Sequence, residues 1–166
     1  QAIDNGIDFY APQTLLAPDG RRIMIAWMQN WDSCDQQGAK ERKWFGQMTL
    51  PRELSIRDGR LIQQPAREIE NYYGEKISYK NVPLSTETFL TGVRGRTIDM
   101  TVNVRPANGS VMYHAFRMNL AKDGEHVTTI RFKPDQGIVR VDRSRCGYRF
   151  DIVHVREFPV CSRHGC

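Results

Sequence analysis

Long apolar runs are missing from this 166-residue chain. None reaches the roughly 20 residues a helix needs to cross a bilayer, and no basic-then-apolar leader opens the sequence. A membrane is therefore not an expected partner. Missing too is a continuous Lys/Arg tract with interleaved aromatics. The formal charge is +5, but the basic residues are scattered over Arg21–Arg22, Lys40–Lys43, Arg94–Arg96 and Arg140–Arg149. Nothing in that scatter tracks a phosphate backbone, so nucleic acid is not expected as a partner either. Arg140, Arg143 and Arg145 read instead as a solvated strand face.

Cysteine is sparse, with four residues at 34, 146, 161 and 166, too few for a disulfide-built scaffold of this size. Cys161, His164 and Cys166 stand close together, yet no second pair occurs at zinc-site spacing. Free thiols, no structural metal and a cytoplasmic setting are the expectations, with secretion left open. Nucleophile signatures are absent as well. There is no G-x-S-x-G element, and His114, His126 and His154 have no Ser or Cys at a recognisable spacing.

What is present starts with the stretch Asp4 to Trp31. Apolar runs at Gln13–Ala17 and Ile23–Trp27 flank Asp19-Gly20, which reads as the turn of an antiparallel pair. Polar and aromatic side chains fall at the strand ends. Asp8 can accept hydrogen bonds from paired hydroxyls, and Tyr10 or Trp27 can lay a ring against the C–H face of a sugar. Asp4, Asn30 and Trp31 are weaker candidates for the same role, and Gln13 can orient a neighbouring carboxylate.

The rest of the chain punctuates itself with turns. Asp32–Lys43 is a polar loop. Trp44–Ile56 resumes an apolar pattern around Pro51, which marks an edge, a bulge or a break, and Asp58-Gly59 turns the chain into Leu61–Gln63. Together these make about one four-stranded propeller blade. Pro65–Tyr73 has the pattern of a short helix or turn, ended by Gly74. Its Glu68 and Glu70 are expected to be solvated or bound to the second half of the chain. From Thr97 on, short alternating runs recur between Gly-containing turns: Ile98–Val104, Val111–Leu120, Val127–Phe132, Ile138–Val141 and Tyr148–Val155. That rhythm predicts an antiparallel sandwich.

Four segments carry a resemblance. DFYAPQT (Asp8–Thr14) with the strand IMIAWMQNW, WFGQMTLPREL (Trp44–Leu54), DGRLIQQPAREIE (Asp58–Glu70) and VDRSRCG (Val141–Gly147) resemble, in this order, glycoside hydrolase family 32. That is the family of invertases, fructanases and sucrose-6-phosphate hydrolases. The resemblance implies an all-β chain: part of a five-bladed β-propeller over residues 1–64, a linker over 65–76, and an incomplete C-terminal β-sandwich over 77–166. It also implies a parent enzyme that hydrolyses terminal β-fructosyl bonds in sucrose, sucrose 6-phosphate or fructans, without a cofactor.

Such retaining enzymes use a nucleophilic Asp, an acid/base Glu and a second supporting Asp. The resemblance places these in motifs of the NDPNG, RDP and EC type, and none occurs here. Arg57-Asp58-Gly59 is the nearest imitation, and turn geometry explains it. The chain is therefore expected to hold no catalytic residue, to be inactive alone, and to be a piece of a larger enzyme. Asp8, Tyr10 and Trp27 would remain as substrate-binding residues. Glu53, beside Arg52, is expected in a structural ion pair, since a neighbouring cation disfavours the protonated acid. Uncovered apolar surface would drive self-association. The alternative is a non-catalytic sandwich module that binds carbohydrate, with Tyr113, Phe116, Phe132, Tyr148, Phe150 and Phe158 as its aromatics.

Overall fold

The computed structural model describes residues 2–6, 8–29, 46–107, 111–147 and 153–160, and the protein is all-β. Strands β1 (Tyr10–Leu16), β2 (Arg22–Trp27), β3 (Arg52–Arg57) and β4 (Arg60–Pro65) form one antiparallel sheet in the order β1-β2-β3-β4. Both Asp-Gly pairs sit where the sequence puts turns. In the first, Gly20 N–H donates to the Ala17 carbonyl (2.9 Å) and Ala17 N–H to that of Arg21 (2.8 Å). Gly20, at φ +85°, supplies the left-handed residue that closes this loop. In the second, Asp58 (φ +52°) and Gly59 (φ +72°) form a two-residue turn whose twist matches the flanking strands. Pro51 stands just before β3, where its missing donor costs the ladder nothing.

A pleat sends alternate side chains to opposite faces. Met24 (3% exposed) and Ala26 (0%) lie on one face of β2 and, with Ala66 (6%), are the buried apolar residues among those described. Ile23 and Ile25 occupy the other face, half-buried. The chain then makes a 3₁₀ helix at Arg67–Tyr72. Tyr73 is already extended, so the helix ends at Tyr72, two residues before Gly74.

A second antiparallel sheet runs β5 (Phe116–Leu120), β6 (Val127–Lys133), β7 (Ile138–Arg145) and β8 (Val155–Pro159), in sequence order. Asp123 closes the β5–β6 turn. Its carboxylate accepts the N–H groups of His126 (2.6 Å) and Glu125 (2.7 Å). These bonds, His126's first, pull its pKa down to about 2. Ile98, Met100 and Val102 depart from expectation: they lie outside any strand and are 48, 38 and 43% exposed. Alternation fits a strand, but a strand also needs a neighbouring backbone to pair with, and none among the described residues pairs here. β5 begins at Phe116 rather than Val111, and β8 begins at Val155, the last residue of the expected Tyr148–Val155, of which 148–152 lie outside the described residues. The expected loop Asp32–Lys43 and the residues Tyr148 and Phe150 lie outside the described residues.

Ion pairs join the first sheet to the 3₁₀ helix. Glu53 accepts from Arg21 Nη1 (2.8 Å), from the Arg67 backbone N–H (2.9 Å), and from Arg67 Nε and Nη2 (2.9 and 2.8 Å). Arg21 also pairs with Asp19 and Glu68. Arg52 is not the partner expected for Glu53, because adjacent strand residues face opposite ways. It pairs with Asp4 instead (2.8 Å). Glu68 is bound to the first sheet rather than to the second half of the chain.

The Arg67 and Arg21 guanidiniums hold Glu53 well below the usual carboxylate range. A pKa depressed by folding stabilises the fold above the ordinary value of 4.5 and loses that contribution as pH falls through the folded-state value. Glu53→Gln is therefore expected to lower the thermal midpoint by several degrees at neutral pH, well beyond the effect of Glu70→Gln on the same helix. In melts followed by circular dichroism from neutral to acid pH, the gap between the two variants should narrow only below about pH 4.5.

Candidate functional site

The site is built on the β1–β2 hairpin. From Leu16↔Arg22 to Gln13↔Ile25 the two strands pair residue for residue, and the next pair is Tyr10↔Trp27. Three steps along β1 thus match two along β2, which is a bulge. Ala11 absorbs it at φ +45°. The extra residue changes where Tyr10 points. In a regular strand it would share a face with Pro12 and Thr14; with the bulge it joins Gln13, Leu15, Ile23, Ile25 and Trp27.

Trp27 has a neighbour on its other side. The segment Gln47–Thr49 runs antiparallel to the end of β2, bridging Trp27 to Met48. Thr49 N–H donates to the Ala26 carbonyl (2.9 Å), Ala26 N–H to Thr49 Oγ1 (3.1 Å), and Met28 N–H to the Gln47 carbonyl (2.6 Å). Paired residues share a face, so Tyr10, Trp27 and Met48 form a row across three chain segments. They are 42, 39 and 54% exposed. A contiguous exposed row of large side chains carries more functional information than any one exposed residue.

Gly46 fixes the indole. A β-carbon there would stand 2.6 Å from Trp27 Nε1, and the residue's φ is +79°. Close approach and backbone conformation both demand glycine. The buried Gln29 lies beside it, its Oε1 at 3.5 Å from the same point.

Asp8 is half-buried, two positions before β1, and holds a contact of its own. It shares no ladder position with Tyr10 and Trp27. What places it is the N-terminal segment, which Arg52 ties down. Arg52 Nη1 pairs with Asp4 Oδ2 (2.8 Å) and donates to Gln63 Oε1 (3.0 Å), and its guanidinium lies 5.0 Å from the Phe9 ring centre. Gln63 Nε2 in turn donates to the Ile3 carbonyl (2.6 Å). Asp4, a weaker candidate from the sequence, is thus committed to Arg52 and to the Gly6 N–H (2.6 Å). Asn30 and Trp31 lie outside the described residues, as do Cys161, His164 and Cys166. Asp58 occupies its turn, and Glu53 is held ionised between two arginines, the wrong state for a general acid. Among the described residues, no group of three His, Cys, Asp or Glu side chains gathers to hold a metal ion.

Sequence reasoning missed Met48, Gly46 and Gln29. A glycine inside an apolar strand pattern, as in Phe45-Gly46-Gln47, was the available sign of a close approach.

Known proteins share both the sequence and the fold. Residues 1–65 match the glycosyl hydrolases family 32 N-terminal domain. The chain is 45% identical to the raffinose invertase of Escherichia coli over 114 residues, which is 69% of this chain and 21% of that protein. It is 33% identical to a sucrose-6-phosphate hydrolase of Zymomonas mobilis over 162 residues, 96% of this chain and 30% of that one. The chain therefore spans under a third of either relative. Among solved structures, a GH32 β-fructofuranosidase of Bombyx mori superposes with a TM-score of 0.63 at 22% identity, covering 98% of this chain and 31% of that chain. The sucrose-6-phosphate hydrolase of Lactobacillus gasseri gives 0.59 at 18% identity, over 96% and 31%. These two structures share the fold.

Gly46→Ala is expected to move the Trp27 indole N–H resonance in heteronuclear NMR and to lower the thermal midpoint. Gly59→Ala carries similar backbone strain but meets no neighbour. It should cost about 1 kcal/mol and leave that resonance in place.

Proposed function

We propose that this chain, which belongs to glycoside hydrolase family 32, supplies part of the fructosyl-gripping wall of a retaining β-fructofuranosidase. Residues 1–64 would end the catalytic propeller, 65–76 link, and 77–166 contribute to a β-sandwich. The observation that carries this reading is the Tyr10↔Trp27 pair, two aromatic rings left exposed side by side at the end of a hairpin, on the face of β2 opposite the buried Met24 and Ala26. Rings so placed can stack on the apolar face of a sugar, while Asp8 accepts from its hydroxyls.

The reaction itself needs a carboxylate nucleophile and a carboxylic acid flanking the glycosidic bond. No motif in these 166 residues provides them, so the bond-breaking acids would come from outside the chain and the chain alone would be inactive. The names of its relatives, raffinose invertase and sucrose-6-phosphate hydrolase, support sucrose, sucrose 6-phosphate or a related fructoside as the substrate class. Fructans, and a cytoplasmic setting in keeping with the sparse cysteine, belong to the same proposal.

The competing reading, a self-sufficient carbohydrate-binding module on the second sheet, has less support. Tyr113, Phe116, Phe132 and Phe158, its described aromatics, are half-buried rather than displayed in a groove.

The isolated chain is expected to release no fructose from sucrose and to give no heat with fructo-oligosaccharides in calorimetric titration. Activity should return when it is joined to the rest of a family 32 propeller. Tight oligosaccharide binding by the isolated chain would favour the module. Ile56, Tyr72, Phe89 and Val111 are 71 to 88% exposed, so the isolated chain should also self-associate. Sedimentation velocity should show species larger than 19.2 kDa that dissociate on dilution; a monomer at all concentrations would contradict this.

A further inference from the structure

The second sheet sorts most of its side chains by polarity. Phe116, Met118, Ile130, Phe132, Val139, Val141 and Phe158 share one face, by register. The opposite face carries a row of arginines. Arg117 on β5 pairs with Arg131 on β6, Arg131 pairs with Arg140 on β7, and Arg140 pairs with Glu157 on β8. Like charges directly opposite one another destabilise a sheet, so three adjacent guanidiniums call for a compensating anion.

The carboxylates at hand do not supply it. Asp142 and Glu157 are both taken up by Arg140, at 3.4 Å from Nη2 and 3.2 Å from Nη1. Asp142 also accepts from the Ser144 N–H (3.0 Å) and hydroxyl (2.6 Å). Glu87, which attracts Arg117 at longer range, is held by Lys122 Nζ and Asn119 Nδ2. Among the described residues no carboxylate pairs with Arg131, and its Nε is buried without a hydrogen-bond acceptor. A buried donor left unmet costs stability. Beside it opens a cavity of about 350 Å³ lined by Arg117, Thr129, Arg131, Arg140 and Asp142. Three arginines and one aspartate leave that lining with a formal excess of two positive charges.

We propose that this cavity binds a tetrahedral oxyanion, inorganic phosphate or the phosphate group of a phosphate monoester, between Arg117 and Arg131. A carboxylate's two oxygens satisfy a single guanidinium fork, whereas phosphate has oxygens enough to meet two forks on neighbouring strands and carries a charge close to that excess. Thr129 lines the same cavity, its hydroxyl donating to Asn119 Oδ1 (3.3 Å). Glu157 and Asp142 hold the third arginine back, which limits affinity. The site lies on the sheet that does not carry Tyr10 and Trp27, so it stands or falls independently of the fructosyl reading.

Calorimetric titration of the 166-residue chain with inorganic phosphate, at low ionic strength, tests this. Saturable binding with Kd on the order of 1 mM or tighter is expected. Arg131→Gln and Arg117→Gln should each weaken it by about tenfold or more. Arg57→Gln, an exposed arginine of the first sheet, should leave it unchanged, with circular dichroism checking that each variant keeps its β-structure. Glu157→Gln leaves Arg140 held by Asp142 alone and should tighten binding, a gain that general destabilisation does not produce. Titration with glucose 6-phosphate in place of phosphate separates the two sources: tighter binding than phosphate points to a monoester, equal or weaker binding to the free ion. The proposal is overturned if no saturable heat appears. It is equally overturned if neither Arg117→Gln nor Glu157→Gln changes the affinity.

Discussion

One carboxylate organises the first half of the molecule. Glu53 takes four hydrogen bonds, from Arg21 on the first hairpin loop and from the backbone and side chain of Arg67 at the start of the 3₁₀ helix. Its side chain is 19% exposed, so solvent screens these contacts less than it would a pair on the open surface. The consequence is geometric. The turn, β3 and the exit from the sheet are fixed to one point, and the register Ile23↔Glu53 results. That register carries the chain of placements out to Trp27, two pleats along the same face of β2.

The two sheets use the pleat differently. In the first, the face away from Met24 and Ala26 displays large side chains, and a single bulge at Ala11 turns Tyr10 onto it. A strained residue at the edge of a sheet re-aims one ring beside another, a common use of bulges next to sites. In the second, the pleat separates an apolar face from an arginine row whose charge exceeds what its neighbours neutralise. One surface suits the uncharged ring of a sugar; the other suits an oxyanion. Neither has the paired, unequally tuned carboxylates that cleave a glycosidic bond.

Much of this could be read from the sequence, where the signal is local. Asp19-Gly20 and Asp58-Gly59 need left-handed backbone, so they mark turns in any context, and short apolar runs such as Ile23 to Trp27 or Ile138 to Val141, bounded by such turns, mark strands. The failures share a cause, dependence on a partner distant in sequence. Ile98 to Val104 alternates as well as any strand here but has no described neighbour to pair with. Arg52 and Glu53 are adjacent in sequence and opposite in space, so the apparent pair dissolves into Arg52–Asp4 and Glu53–Arg67. The bulge at Ala11 left no mark in Tyr-Ala-Pro-Gln, and Met48 joined the site through a bridge from a segment more than 20 residues beyond Trp27. Family resemblance pointed to Tyr10 and Trp27, but what aligns their rings is a register that no local pattern encodes.

On the proposed reading, Tyr10 and Trp27 hold the sugar and do not cut it. Steady-state kinetics on an intact family 32 enzyme carrying this segment, with Trp27→Ala and Tyr10→Ala, test that most directly. Loss of ring contact should raise KM for sucrose by about tenfold or more while kcat falls far less, the signature of binding lost alike in ground and transition states. A collapse of kcat with KM unchanged would contradict the account, as would an unaltered KM in both variants.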